Sequence, residues 1–130
     1  MTVLEAKHVS LYGKRILVVE DDDRLYHALK DSLEDVGCEI FGSCERMSGA
    51  LDSVPASHLD AALIDLDPLS MQSVASLAGR LNDRGVPILL ITARISGELP
   101  RVLRSYRHLK KPFTERELLD SMVGALDNID

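Results

Sequence analysis

Lys14–Asp23 reads KRILVVEDDD, an apolar strand running straight into four consecutive carboxylates at Glu20, Asp21, Asp22 and Asp23. Like charges crowded at the end of a strand repel one another, so a folded chain that gathers them there calls for a counter-charge. A hard, oxygen-seeking cation such as Mg2+ meets that need, because it is held by one or two carboxylates and keeps several of its waters. Two further apolar runs end in chemistry-bearing residues: AALIDLDP carries Asp65, and PILLITA carries Thr92. A fourth run, HLKKPF, ends at Lys111 with Pro112 behind it.

Working outward, the periodicity alternates between short apolar runs and helical stripes. Ile16–Val19 reads as a buried strand, and Leu25, Leu29, Leu33 and Val36 then recur at helical spacing, with Gly37 placed to stop the helix. Glu39–Gly42 is a weaker second strand, and Met47–Val54 a short helix closed by Pro55. Ala61–Leu66 is the third strand. A third helix carries Met71, Val74, Leu77 and Leu81, and Gly85 follows it. Val86–Thr92 is a strongly apolar fourth strand. Gly97 and Pro100 interrupt the next stretch and leave only Pro100–Ser105 for a short or irregular fourth helix. Tyr106–Leu109 is a short fifth strand, and Leu118, Leu119, Met122 and Leu126 stripe a last helix. Thr114 as its N-cap and Glu117 three residues on have the spacing of a capping box.

Strands apolar on both faces and separated by helices imply an α/β fold: a doubly wound, five-stranded parallel sheet with helices on both faces. In such sheets the functional residues collect beyond the carboxyl ends of the strands, where Glu20, Asp21, Asp65 and Thr92 all fall. Some of the neighbouring charges have plainer roles. Asp22 or Asp23 suits the N-cap of the first helix. Asp67 is a ligand through its side chain or a loop residue whose backbone carbonyl faces the cation, and the second is preferred. Of Lys110 and Lys111, the following proline selects Lys111 as the functional lysine, with Lys110 left at the surface.

The balance of 45% apolar and 28% charged residues over 130 residues is that of one ordinary soluble domain. A net charge of −6 argues against broad nucleic-acid or anionic-membrane binding, both of which need a basic face. Glu5, Lys7 and His8 interrupt the N-terminal stretch, so it lacks a signal peptide's apolar core, and no apolar run reaches membrane-spanning length. A cytoplasmic location is therefore expected. Cys38 and Cys44 match no zinc spacing and read as two reduced thiols flanking a strand; the four histidines are scattered.

Taken together, an acidic pair, a single Asp, a hydroxyl and a Lys-Pro, each at a strand end and in that order, resemble the receiver domains of two-component response regulators. The resemblance covers roughly residues 14 to 126 and implies a flavodoxin-like fold. It divides the chain into an extension of unknown role at residues 1–13 and a receiver domain at 14–130. It implies that Glu20 and Asp21 bind Mg2+ and that Asp65 is the phosphorylated residue. Asp65 and the backbone carbonyl of Asp67 complete the metal ligands. The resemblance further implies that the Thr92 hydroxyl meets the phosphoryl group and that the Lys111 ammonium pairs with it, held by a Lys–Pro bond that is often cis in this family. The expected donor is the phosphohistidine of a sensor histidine kinase or a histidine phosphotransfer protein, and the output is a changed contact with a downstream protein. On this view the chain is a stand-alone phosphoacceptor regulator and not an enzyme beyond its own phosphorylation and dephosphorylation.

Several positions depart from the family pattern. Leu69 stands where a proline is usual, with Pro68 one residue earlier; Ser73 replaces a small Gly; and His108 takes the place of the aromatic switch residue three before the lysine. The Gly-Ala pair ahead of the fifth strand is missing, and the segment from Thr92 to Lys111 is shorter than usual. Two other classes share part of the pattern. A Toprim-type domain pairs an early Glu, here Glu20, with an Asp-x-Asp, here Asp65-x-Asp67, but needs neither Thr92 nor Lys111. A haloacid-dehalogenase-type phosphatase uses Asp-x-Asp, Thr and Lys, yet its metal acids follow the Lys, whereas Glu20 and Asp21 precede it.

Overall fold

The computed structural model describes residues 8–42, 58–67 and 71–127. Five strands form one sheet: β1 (Arg15–Val19), β2 (Glu39–Phe41), β3 (Ala61–Asp65), β4 (Ile88–Thr92) and β5 (Arg107–Lys110). All are parallel, in the order β2-β1-β3-β4-β5. Four α-helices lie among the described residues: α1 (Asp23–Asp35), α2 (Met71–Asp83), α3 (Arg101–Arg104) and α4 (Glu115–Asp127). The expected helix over Met47–Val54, with Cys44, Pro68 and Leu69, lies outside them.

Alternation along the central strands makes two cores. Ile16 and Val18 of β1, Leu63 of β3, and Leu89 and Ile91 of β4 pack with Leu29 and Leu33 of α1 and with Leu118, Leu119 and Met122 of α4. The intervening residues Leu17, Val19, Ala62, Ile64 and Leu90 point the other way, against Val74, Leu77 and Leu81 of α2 and Leu103 of α3. Period-2 alternation in which both faces are apolar is what a covered parallel sheet requires.

Local chemistry sets the helix ends. The Asp22 carboxylate accepts from the Leu25 amide at 3.1 Å, so the N-cap of α1 is Asp22. At the other end the Cys38 amide donates to the Leu33 carbonyl and the Gly37 amide to the Glu34 carbonyl, with Gly37 at φ 93. This paired closure needs a left-handed residue, which glycine supplies without strain. The last helix opens with the expected capping box: the Glu117 amide donates to Thr114 Oγ1 at 3.1 Å, and the Thr114 amide to Glu117 Oε1 at 3.0 Å.

The short helix expected over Pro100–Ser105 is α3, a single turn, and Pro100 is its N-cap rather than a residue of its first turn; a 3-10 turn, Ser96–Glu98, precedes it. The fifth strand lies one residue later than the apolar pattern suggests. Leu109 fixes its buried face, while Lys110 pairs with Thr92 through the backbone, which hydropathy does not register.

Residues 8–13 pack onto the sheet's first face. Leu11, in the 3-10 turn Val9–Leu11, is fully buried, and the His8 ring is 1% exposed with Nε2 2.6 Å from Asp120 Oδ1 on α4.

Candidate functional site

The register of the sheet assembles the site. Val19 of β1 pairs with Ile64 of β3, so the next residues, Glu20 and Asp65, emerge side by side. Asp65 pairs with Ile91 of β4, which places Thr92 one step beyond. Thr92 in turn pairs with Lys110 of β5, and the Lys111 amide donates to the Thr92 carbonyl at 2.9 Å. Four strand ends therefore deliver Glu20, Asp65, Thr92 and Lys111 to one edge of the sheet.

Three of these polar side chains are almost fully buried: Glu20 and Asp65 are 1% exposed and Thr92 is 2% exposed. The Lys111 ammonium stands 2.7 Å from Asp65 Oδ2 and 3.4 Å from Asp67 Oδ2. The Lys111–Pro112 peptide bond is cis. Burial works against the charge on Lys111, but Asp65 and then Asp67 outweigh it and hold the ammonium's pKa above its ordinary value.

Glu20 is the least satisfied member. Its Oε1 accepts from the Asp22 amide at 2.9 Å, while Oε2 is buried and finds no donor. Burial, then the adjoining Asp65 carboxyl, push the Glu20 carboxyl up to about 8, against the opposing pull of the Asp22 amide and Lys111. Two neighbouring carboxyl groups relieve each other when one holds a proton or when a cation stands between them. Asp21, next along the chain, is exposed. Among the described residues no three His, Cys, Asp or Glu side chains converge tightly enough to enclose a metal by themselves. The orphaned Glu20 oxygen is an acceptor of the kind that fits a hard, largely hydrated cation.

Asp67 is where the arrangement exceeds the expectation of a simple loop residue. Its amide donates to Asp65 Oδ1 at 3.0 Å. Its carboxylate accepts from the Thr92 hydroxyl at 2.6 Å and from the Ala93 amide at 2.8 Å, besides facing Lys111. Partial burial alone would raise its pKa; the bonds from Thr92 and Ala93 and the Lys111 charge outweigh that and hold it below the usual carboxylate value. The Thr92 hydroxyl also accepts from the Arg94 amide at 3.0 Å, so its direction is fixed from both sides. The Asp-x-Asp spacing was the available signal, but nothing in it says that the second side chain turns toward β4.

His108 is half-buried, with Nε2 2.9 Å from the Leu103 carbonyl, tying β5 to α3. A carbonyl only accepts, so Nε2 carries the hydrogen.

No protein-family model matches the chain. Among characterised proteins it is 34% identical over 121 residues to Nodulation protein W of Bradyrhizobium diazoefficiens, covering 86% of this chain and 51% of that protein. The chain thus spans about half the length of that relative. The fold matches the BeF3-activated conformation of SdrG from Pseudomonas melonis Fr1 with a TM-score of 0.72 and 25% identity, covering 97% of this chain and 99% of that one. It also matches a CheY-like response regulator receiver domain protein from Methanospirillum hungatei JF-1 with a TM-score of 0.73 and 24% identity, covering 89% and 95% respectively.

Proposed function

This chain is a receiver domain of the response-regulator family, and we propose that it serves as the phosphoacceptor of a two-component phosphorelay, with Asp65 as the acceptor. The observation that carries this reading is the buried Asp65 carboxylate, bonded to Lys111 at 2.7 Å beside the orphaned Glu20 oxygen. An oxygen of Asp65 attacks the phosphorus of a phosphohistidine. The P–N bond breaks, the imidazole nitrogen keeps the electron pair, and an acyl phosphate remains on Asp65. Lys111 takes up charge on the transferring phosphoryl oxygens, and the Thr92 hydroxyl donates to one of them.

Glu20, Asp21, Asp65 and the backbone carbonyl of Asp67 are the groups assigned to hold Mg2+. When bound, the ion supplies positive charge that offsets the carboxylates and the phosphoryl oxygens. A sensor histidine kinase or phosphotransfer protein is the proposed donor, and a downstream protein the proposed reader, with no nucleic acid or membrane partner. No helix among the described residues is long and apolar enough to cross a membrane, and we assign the domain to the cytoplasm. The domain functions as a regulator rather than an enzyme, and we take residues 14–130 as its extent.

Incubation with acetyl phosphate and Mg2+ tests the assignment: intact mass should show one labile phosphoryl adduct, absent in Asp65→Asn. An adduct on that variant at a comparable rate would sink it.

A further inference from the structure

Three donors beside the end of β3 meet one carboxylate, that of Asp67. Two of them, the Thr92 hydroxyl and the Ala93 amide, are held by the Asp67 carboxylate at 2.6 and 2.8 Å. The third, the Lys111 ammonium, is shared between Asp65 and Asp67 at 2.7 and 3.4 Å. Asp67 is fixed next to Asp65 by its own amide, which donates to Asp65 Oδ1 at 3.0 Å. A carboxylate bridging a hydroxyl, an amide and an ammonium is bound as an anion is bound. A phosphoryl group on Asp65 brings three acceptor oxygens and about 1.5 to 2 negative charges to the same spot.

We propose that the Asp67 carboxylate is a built-in occupant of the phosphoryl-oxygen donor set: it holds the Thr92 hydroxyl and the Ala93 amide in the resting protein, and an arriving phosphoryl group takes both from it. This rests on Asp65 being the acceptor. Asp67 forms no bond to phosphorus; it is a positioning residue that sets how readily the acceptor site opens. Two consequences follow from the geometry. Phosphorylation proceeds against one extra negative charge that has to move aside. The Thr92 hydroxyl is also already turned toward the β3 end before any phosphoryl group is present, so what changes on phosphorylation is the identity of its partner.

The test uses the full chain with acetyl phosphate and Mg2+, following the adduct by intact mass in wild type, Asp67→Asn, Thr92→Ala and the double variant. Asparagine removes the charge and keeps one acceptor oxygen, enough for either Thr92 or Ala93, which donate to different oxygens of Asp67. Asp67→Asn should gain the adduct about tenfold faster, a size in keeping with one partly screened unit charge removed. In the Thr92→Ala background the same substitution should gain far less, because the two side chains act as one unit. A readout independent of transfer is the Ala93 amide, which should exchange slowly with solvent in the resting wild type although Ala93 is exposed, and rapidly in Asp67→Ala. Asp67→Ser takes the place of the asparagine variant if that one weakens the fold. Equal or slower adduct formation in Asp67→Asn, with Asp65 modified in both proteins, overturns the proposal and leaves the phosphoacceptor reading standing. No adduct in any of the proteins removes that reading and this one with it.

Discussion

Lys111 and Asp65 form an ion pair of 2.7 Å in which the acid is 1% and the base 26% exposed. One end of the pair is cut off from water, and the other keeps a route to it. Such an arrangement lets the lysine turn to a newcomer without being stripped of its remaining hydration. Replacing it with an isosteric apolar residue leaves Asp65 buried against Glu20 with no cation. Lys111→Met should therefore lower stability by about 2 kcal/mol, the cost of an abandoned buried charge tempered by the open side. Urea unfolding at pH 7 without Mg2+ measures it; an unchanged midpoint would show that Lys111 contributes nothing at rest.

Glu20 gives the pH dependence. Its carboxyl goes from 4.5 when unfolded to about 8 when folded. The native state therefore holds a proton that the unfolded chain gives up, and the stability this contributes is fully present below about pH 4.5 and lost as the pH rises through about 8. Glu20→Gln should remove that slope, so that wild type and variant diverge most at the alkaline end in EDTA. If the two unfolding profiles run parallel from pH 5 to 9, Glu20 is not the titrating group.

With Mg2+ present, mass action should raise the melting temperature of wild type by several degrees and that of Asp21→Ala by much less. An equal shift in both proteins would remove Asp21 from the metal ligands.

Much of this was legible before any coordinates. The apolar runs at Ile16–Val19, Ala61–Leu66 and Val86–Thr92 could only be strands covered on both sides, and once they are parallel their ends bring Glu20, Asp65 and Thr92 to one edge. Two pieces were not legible, each for a tertiary reason. Asp67 follows a strand as any turn aspartate does, and only the path of the chain beyond β3 turns its carboxylate to Thr92 and Ala93. His8 belongs to no periodic segment, and its burial depends on α4, more than a hundred residues later, offering Asp120. The one-residue offset of β5 has the same origin, since edge pairing to β4 outweighs the hydropathy of Tyr106.

Gly42 is a packing constraint of a different kind. It sits at φ 98, and a Cβ there would come within 2.5 Å of the Val18 carbonyl oxygen, while the Tyr26 hydroxyl donates to its own carbonyl at 2.7 Å. Backbone meets backbone, so no side chain can swing away. Gly42→Ala should cost about 2 kcal/mol or more, combining left-handed strain with displacement of β2. A loss under about 0.5 kcal/mol in chemical denaturation would mean that the edge strand simply shifts.

Cys38 should be chemically quiet. Burial, reinforced by the nearby Asp60 charge, pushes its thiol up to about 11, and Sγ lies 3.4 Å from the Leu11 carbonyl. In a Cys44→Ser background, iodoacetamide at pH 7.5 should leave the folded protein unmodified and label it fully in urea. Rapid labelling of the native protein would show that the segment around Leu11 opens.

Because β5 is an edge strand and Lys111 follows directly on it, the lysine paired with Asp65 is the last of the site's parts to leave the ribosome. A chain that stops short of β5 carries Glu20 and Asp65 but lacks the ammonium that stands 2.7 Å from Asp65. Under the proposed function, competence to take a phosphoryl group would then wait on the docking of β5, the strand that brings in Lys111.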